Sequence, residues 1–247
     1  MGFEQKIDPA LAASLLNWWR EAGVDTLIDE NPRDWLAAPV EPVRAPATVR
    51  APAPVMVRPV APLPETLDAF LAWRMGDAAP DADWPGVRVG PQGSPGSALM
   101  VVIDCPERND TPARLLGGDA GVLFDRMMAA IGQSRDTICL ASMAVVAPPS
   151  GRLPARLDPL FADALRRHIA LAAPRRLLVL GSAASRALFG MDVAQARGSL
   201  RGVNHDGRED KVGLRAVASF SPRFLLERPA AKAQAWKDLQ LLIGGMA

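Results

Sequence analysis

From Glu65 onward, the hydrophobic residues follow two kinds of spacing in turn. Short uninterrupted apolar runs, typical of strands buried on both faces, occur at residues 98–104, 137–146, 176–180 and 214–219. Segments with apolar residues three or four positions apart predict helices between them, at residues 67–75, 121–131, 157–171, 182–188 and 230–243. This alternation predicts an α/β fold, a four-stranded and mostly parallel sheet between two layers of helices in an α/β/α arrangement.

The first 64 residues have a different pattern. Residues 8–22 place leucines and the pair Trp18 and Trp19 on one broad helical face, whereas residues 37–64 are rich in Pro and Ala and favour extended backbone. We therefore predict an N-terminal helical segment (1–36), a linker (37–64) and one α/β domain (65–247). The tryptophan-bearing helix is expected to dock on its own domain or to bind a partner protein.

The sequence argues against a disulfide-framework protein and against a secreted or membrane-spanning one. Cys105 and Cys139 are too few for a disulfide framework, and both lie in apolar runs, so we expect buried small hydrophobic side chains. There is no charged leader followed by an apolar stretch and no apolar run of membrane-spanning length. A cytoplasmic protein without a membrane part is expected.

The net charge of +1 conceals an uneven distribution along the chain. Lys and Arg against Asp and Glu number six to nine in residues 1–65, six to ten in 66–149 and sixteen to eight in 150–247. Most of the cations in the last segment are arginines, which suit contacts to phosphate through a planar donor fork. A solvated basic surface explains the same excess equally well.

Ligands of parallel sheets bind beyond the carboxyl ends of the strands, where this chain carries short motifs. Residues 104–106 read DCP after the first apolar run, and residues 147–152 read APPSGR after the second. The third run ends in LGS at residues 180–182, and the fourth continues as SFSPRFLL at residues 219–226. A helix start, GGDAGVLFD, lies between the first two at residues 117–125.

In this order, and with WKDL at residues 236–239, these motifs resemble those of the bacterial family 4 uracil-DNA glycosylases. That family has a Gly-Glu-Ala-Pro-Gly turn, an AG-x-LLD helix start, an Asn strand leading to Pro-Pro-Gly-Asn-Arg, a Leu-Gly turn and a His-Pro-x-x-Leu-Leu loop. The resemblance covers about residues 97–243. It implies DNA as the partner, single-stranded or as a duplex with one base flipped into a pocket.

The resemblance assigns the catalytic positions to Asp104 and Ser221. Asp104 stands where the family has a carboxylate that orients water; the alternative is a cap at the strand end with no chemistry. Ser221 replaces a histidine that donates a hydrogen bond to the uracil carbonyl as charge builds there. Such a donor is worth about 3–4 kcal/mol, and serine is a shorter and weaker one.

Three further residues are expected in the base pocket. Pro106 is retained from the family's turn. Leu116 stands where the family stacks a Phe on the base, and a leucine side chain offers contact without a π face. Ser142 replaces the Asn that reads the uracil edge, and one hydroxyl cannot supply the same paired contact. Discrimination of uracil should therefore fall.

The resemblance also implies a set of DNA contacts. Arg152 is expected on a phosphate, with simple solvation as the alternative. The loop after the fourth strand is expected to wedge into the base stack, with packing of Phe224 on the core as the alternative. The candidate DNA-binding residues are Arg152, Ser182, Pro222, Arg223, Phe224 and Leu225.

The family's four iron-sulfur cysteines are missing. Trp73, Met75 and Val146 occupy the neighbourhood of three of them, so we predict no metal and no cofactor, with apolar packing by Trp73 and Trp84 in place of the cluster. Of the two histidines, His168 is expected on the surface and His205 in a flexible basic loop, residues 197–210.

Three hypotheses for function remain. The first is a glycosylase-like DNA-binding protein linked to repair, with weak or lost base excision. The second is an active glycosylase that hydrolyses the N-glycosidic bond of uracil or another damaged base with the help of Asp104. The third is an interaction subunit that recruits a partner through its N-terminal helix.

Overall fold

The computed structural model describes residues 62–94, 96–154, 159–203 and 214–244, together with Ser14. Every element given below belongs to one compact unit, Pro59–Ala247. The rest of the predicted N-terminal segment, residues 37–61 of the predicted linker and His205 lie outside the described residues.

The fold is built around a six-stranded sheet. Its strands are β1 (Gln92–Gly93), β2 (Leu99–Ile103), β3 (Ile138–Ser142), β4 (Arg176–Leu180), β5 (Leu200–Val203) and β6 (Leu214–Ser219). Their order across the sheet is β1-β3-β2-β4-β6-β5. The four central strands are parallel and are the four predicted apolar runs, so the α/β prediction is confirmed.

Two antiparallel edge strands extend the sheet beyond the four predicted strands. β1 pairs with β3, and β5 pairs with β6. β1 has only two residues, Gln92 and Gly93, and neither is apolar. β5 reads LRGV and lies inside the segment predicted to be a flexible loop, which corrects that prediction for Leu200–Val203. An edge strand is paired on one side only, so it needs no continuous apolar run of its own.

Helices cover both faces of the sheet. They are α1 (Leu67–Arg74), α2 (Gly118–Ala130), α3 (Pro159–Ala172), α4 (Ser182–Phe189), α5 (Val193–Ala196), α6 (Pro222–Glu227) and α7 (Lys232–Gly244). Apolar residues of α2 and α7 share a core with one face, and those of α3 and α4 share a core with the other. None of the described helices is long and apolar enough to cross a membrane.

The central strands are buried on both faces. In β2, Leu99, Val101 and Ile103 point to the core on the α2 side, and Met100 and Val102 point to the core on the α3 side. Burying one such side chain contributes about 1.5–3 kcal/mol, which explains why β2, with the sequence LMVVI, contains no polar residue. The sheet is therefore a rigid platform for the loops at its carboxyl edge.

His168 is buried, so the expectation of a surface residue is wrong. It lies on α3 with a relative exposure of 7%, and its ring centroid is 5.3 Å from that of Phe70. Burial, followed by the nearby Arg74 charge, lowers the pKa of His168 to about 4. The signal was present in the sequence, since Phe161, Leu165, His168 and Ile169 share one helical stripe.

Candidate functional site

A cleft of about 500 Å³ opens at the carboxyl ends of β2, β4 and β6. Its volume lies within the usual range for sites that hold small molecules. It brings together eight of the residues singled out in the sequence, namely Asp104, Leu116, Arg152, Ser182, Ser221, Pro222, Arg223 and Phe224. Pro106, Ser142 and Leu225 are not among the residues that line it.

Asp104 follows β2 directly and meets the N-terminus of α4. Its carboxylate Oδ1 accepts a hydrogen bond of 2.8 Å from the backbone N–H of Ala184. Burial raises the pKa of Asp104 above its ordinary value, although backbone N–H groups of Ala184, Ala183 and Ser182 act in the opposite direction. The carboxylate therefore caps a helix at the floor of the cleft, where the positive end of the helix dipole favours an anion.

The turn between β4 and α4 makes this contact possible. Gly181 has φ 135° and ψ 167°, a conformation essentially reserved for glycine. A β-carbon at Gly181 would lie 2.4 Å from the carboxyl carbon of Asp104. The glycine of the Leu-Gly turn is thus required for the carboxylate to reach the helix.

Ser221 caps the helix on the opposite side of the cleft. Its Oγ accepts a hydrogen bond of 3.3 Å from the backbone N–H of Phe224, in the first turn of α6. Because Oγ acts as an acceptor in this bond, its own hydrogen remains available for donation. The cleft therefore combines one carboxylate with one hydroxyl donor.

Leu116 lines the cleft in a backbone conformation that is rare for leucine. Its φ is 54°, in the left-handed region. Its N–H donates to Asp110 Oδ2 at 2.9 Å, and its carbonyl accepts from Arg135 Nη2 at 2.8 Å. Asp110 also accepts hydrogen bonds from the backbone N–H groups of Glu107 and Gly117. This buried carboxylate therefore stabilises the loop between residues 107 and 117. Sequence reasoning missed Asp110, although loop carboxylates of this kind commonly bond to nearby backbone.

Ser142 lies beside the cleft without lining it. It pairs in register with Ile103 of β2, and alternation along β3 puts its side chain on the sheet face covered by α2. Its Oγ is buried and has no hydrogen-bond partner among the described residues. Of the two serines that replace family residues, only Ser221 is exposed to the cleft.

The arginines of the cleft are largely paired with carboxylates. Arg223 Nη1 lies 3.1 Å from Glu107 Oε2, and Arg152 Nη2 lies 3.3 Å from Glu227 Oε2. Burial raises the pKa of Glu107, with the Arg223 charge opposing it. The lining contains four arginines and four acidic residues; these are Arg152, Arg186, Arg223, Arg228, Asp104, Glu107, Asp192 and Glu227. The cleft is thus close to neutral, and the acidic partners were not foreseen from the sequence.

The loop after the fourth central strand, which is predicted to wedge into the base stack, has some of its residues in the core and others on the surface. Leu225 is 1% exposed and belongs to the core on the α2 side, so it is not available to insert into DNA in this structure. Phe224 is half-buried and stacks on Phe220 with ring centroids 4.7 Å apart. The exposed apolar residue of α6 is Leu226, at 41%. The spacing of α6 turns Leu225 inward and its neighbour outward.

Cys105 is half-buried and lines the cleft, whereas Cys139 is buried in β3. Burial and the neighbouring charges of Asp104 and Glu107 raise the pKa of the Cys105 thiol to about 12. A thiol with so high a pKa carries almost no thiolate near neutral pH and is a poor nucleophile. Cys105 therefore lines the cleft as a neutral thiol near neutral pH.

The residues near the family's cluster positions do not fit an iron-sulfur cluster. Arg74 forms an ion pair with Asp81, and both side chains are buried. Arg74 Nη2 also donates to the carbonyl of Met143 at 2.7 Å, and Asp81 Oδ2 accepts from the N–H of Val145 at 2.6 Å. No thiolate is available there. This ion pair, flanked by Trp73 against Phe70 and Trp84 against Phe161, joins α1 to the end of β3.

Comparison with known proteins leads to the same group that the sequence motifs resemble, the uracil-DNA glycosylases. Residues 91–240 match the family model of the Uracil DNA glycosylase superfamily. The chain is 26% identical to the type-4 uracil-DNA glycosylase of Pyrobaculum aerophilum over 151 residues, which cover 60% of this chain and 77% of that protein. The matched region contains all six strands and the whole lining of the cleft.

Proposed function

Since the chain belongs to the uracil DNA glycosylase superfamily, we propose that it binds DNA at the cleft and excises bases weakly or not at all. The DNA is single-stranded, or duplex with one base turned out of the stack. The protein acts in DNA repair, in the cytoplasm, without a metal or cofactor. The observation that carries the proposal is the hydrogen bonding of Asp104 to the first turn of α4.

Weak excision follows from what each polar group already does. A carboxylate that orients water needs a free lone pair directed at the water, and Asp104 Oδ1 already accepts a hydrogen bond from the backbone N–H of Ala184, while the N–H groups of Ala183 and Ser182 also favour its charged form. The donor opposite is one serine hydroxyl, and the Asn equivalent, Ser142, does not line the cleft. Loss of one preorganised donor costs about 10²–10³ in turnover.

An active glycosylase is the second candidate. Asp104 and Ser221 both line the cleft, which puts an acceptor for water and a donor for the leaving base in one place. In this candidate Asp104 orients water with the lone pairs that α4 leaves unused, and Ser221 donates to the base carbonyl.

An excision assay separates the two candidates. The purified full chain is incubated with single-stranded and mismatched uracil oligonucleotides, treated with alkali to cleave abasic sites, and titrated in parallel for binding to the same oligonucleotides. We expect binding that weakens as salt rises, with little product. Efficient product formation that is abolished by Asp104→Asn would instead establish the active glycosylase.

A gain-of-function variant tests why excision is weak. Ser221→His introduces the donor that the resemblance places at this position. If the missing donor limits the chemistry, Ser221→His raises product formation by at least tenfold over the wild type, and Ser221→His with Asp104→Asn returns it to background. Equal product from Ser221→His and the wild type would show that the donor is not the limiting group.

Recruitment of a protein partner through the N-terminal helix remains a prediction, because that helix lies outside the described residues apart from Ser14. Comparison of the proteins that co-purify with the full chain and with a chain lacking residues 1–64 tests it. An unchanged set of proteins would contradict recruitment by this segment.

A further inference from the structure

A second concave surface lies at the amino ends of the strands, whereas the cleft lies at their carboxyl ends. This basic groove is formed by the start of β4, the start of β6, the loop before β5 and the last turns of α7; its lining includes Arg176, Arg197, Arg215, Lys237, Asp238 and Leu241. Arg176 is the first residue of β4, and Leu180, its last residue, lines the cleft. The four residue steps from Arg176 to Leu180 along β4 separate the two surfaces by about 13 Å.

Two arginines stand side by side in the basic groove. Arg176 and Arg215 are partners in the parallel register of β4 and β6, so their side chains leave the same face of the sheet. Arg215 is exposed and Arg176 is half-buried. Like charges on directly neighbouring positions repel each other, and a bound anion relieves this repulsion.

The groove carries positive charge that the described part of the chain does not neutralise. Asp238 is paired with Arg197 at 3.1 Å and is itself fully buried. Arg176, Arg215 and Lys237 have no ion pair with any described residue. In the cleft, by contrast, Arg152, Arg186 and Arg223 are each paired with a carboxylate.

One hydrogen-bond donor of the groove has no acceptor in the part of the chain that the structure describes. The Nη1 atom of Arg176 is buried and makes no hydrogen bond to the described residues. Buried donors are satisfied in the great majority of native structures, and an unsatisfied guanidinium N–H costs free energy. An anion beside Arg176 would place a hydrogen-bond acceptor near this guanidinium group, whose Nη1 has none among the described residues.

The groove also has room for a ligand larger than a single ion. Its volume is about 810 Å³, and it is open to solvent. Gly202, the register partner of Arg215 on β5, has no atom of the described residues within 4 Å of the position of a β-carbon. The wall contains the apolar residues Leu200 and Leu241 beside the cations. A phosphate with its attached sugar matches this combination of charge, width and apolar wall.

We propose that the basic groove binds the sugar–phosphate backbone of DNA, as a surface separate from the cleft. The choice of DNA as the polyanion rests on the proposed function, whereas the binding of phosphate rests on the groove itself. A chain with two such surfaces holds a second DNA segment, or a distant part of the same strand, while the cleft holds a base. Most of the salt dependence of DNA binding then originates in the groove, because three of the four arginines that line the cleft are already paired with carboxylates.

The test compares two charge-matched variants of the full chain. Arg215→Gln with Lys237→Gln removes two exposed cations of the groove, and Arg126→Gln with Lys232→Gln removes two exposed cations, on α2 and at the start of α7, that line neither surface. Affinity for a long duplex is measured by fluorescence anisotropy over a range of salt concentrations. Two phosphate contacts correspond to a change of about 1.8 in the slope of log affinity against log salt.

We expect the slope to fall by about this amount in the groove variant and to be unchanged in the control variant. Equal slopes in the wild type and the groove variant would overturn the inference and leave the proposed function standing. Conversely, a reduced slope combined with binding that ignores Asp104→Asn and Ser221→His would support the groove and count against the cleft.

A second titration separates backbone from free phosphate. Binding of tripolyphosphate to the wild type and to the groove variant is measured by calorimetry. This titration is carried out whatever the result of the DNA titration. Competition between tripolyphosphate and the duplex, lost in the groove variant, supports the proposal. Binding of tripolyphosphate by a wild type that shows no groove-dependent affinity for DNA would overturn it, in favour of a small phosphorylated ligand.

Discussion

Gly181 lies directly against the carboxylate of Asp104. The distance from a β-carbon at Gly181 to either carboxylate oxygen would be 2.5 Å, well inside van der Waals contact. The glycine precedes α4, and the carboxylate accepts the N–H of Ala184 in the first turn of that helix. The two residues come from neighbouring strands, so their contact fixes the geometry of the cleft floor.

Gly181→Ala should destabilise the protein and displace Asp104. Its backbone conformation is almost exclusive to glycine, and the added methyl would overlap the carboxylate, so a loss of about 3 kcal/mol or more in the free energy of unfolding is expected. The control is Gly190→Ala, where φ is 71° and no described atom lies within 4 Å of the position of a β-carbon. It should cost only about 1 kcal/mol in urea unfolding. Equal losses would show that backbone strain alone is responsible.

Stability should depend on pH through His168. Its folded pKa of about 4 lies below its ordinary value of 6.5, so the unfolded state binds more protons between these values. Stability is therefore complete above pH 6.5 and falls as pH decreases towards 4, by up to about 3 kcal/mol. Urea unfolding of the wild type and of His168→Gln between pH 4.5 and about 7.5 checks this.

The difference in unfolding free energy between the wild type and His168→Gln should shrink as the pH falls. The chain has one other histidine, His205, so His205→Gln serves as the control and should retain the full pH dependence of the wild type. A pH dependence that disappears in His205→Gln and persists in His168→Gln would contradict the assignment.

The Arg74–Asp81 ion pair should be essential for stability. Asp81→Asn leaves the Arg74 charge buried without a counter-charge, which costs about 3–5 kcal/mol in comparable sites. Asp163→Asn is the matched control, because it removes the partner of Arg166 from a pair that is about half exposed. That change should stay within about 0.5 kcal/mol. Similar losses for the two variants, measured by urea unfolding, would rule out a special role for the buried pair.

Ser221 should affect both folding and function. Ser221→Ala removes the cap of α6, which costs about 1 kcal/mol of stability, and it also removes the hydroxyl donor from the cleft. Thr66→Ala removes the corresponding cap of α1, where Thr66 Oγ1 accepts the N–H of Ala69 at 3.4 Å. Both variants should lose similar stability, but only Ser221→Ala should weaken binding of base-bearing oligonucleotides. A parallel loss of binding in Thr66→Ala would indicate an effect of stability alone.

The limits of prediction from sequence are clearest at particular residues. The central strands were predictable because burial on both faces demands unbroken apolar runs, as in β2 and in residues 177–180 of β4. β1 was not, since Gln92 and Gly93 carry no such pattern. His168 could have been placed in the core from its position on the stripe of α3. Leu225 and Leu226 are adjacent in the sequence, and only the orientation of α6 separates core from surface.

The sequence alone determined the α/β class, the parallel central strands and the positions of the carboxyl-end motifs, because backbone sterics and burial are encoded locally. Tertiary structure decided which side chains meet. It brought Asp104 to the first turn of α4 and Arg223 to Glu107, 116 residues away in the chain. It also placed Arg176 beside Arg215, since charge pairing depends on distances in space, which spacing along the chain does not specify.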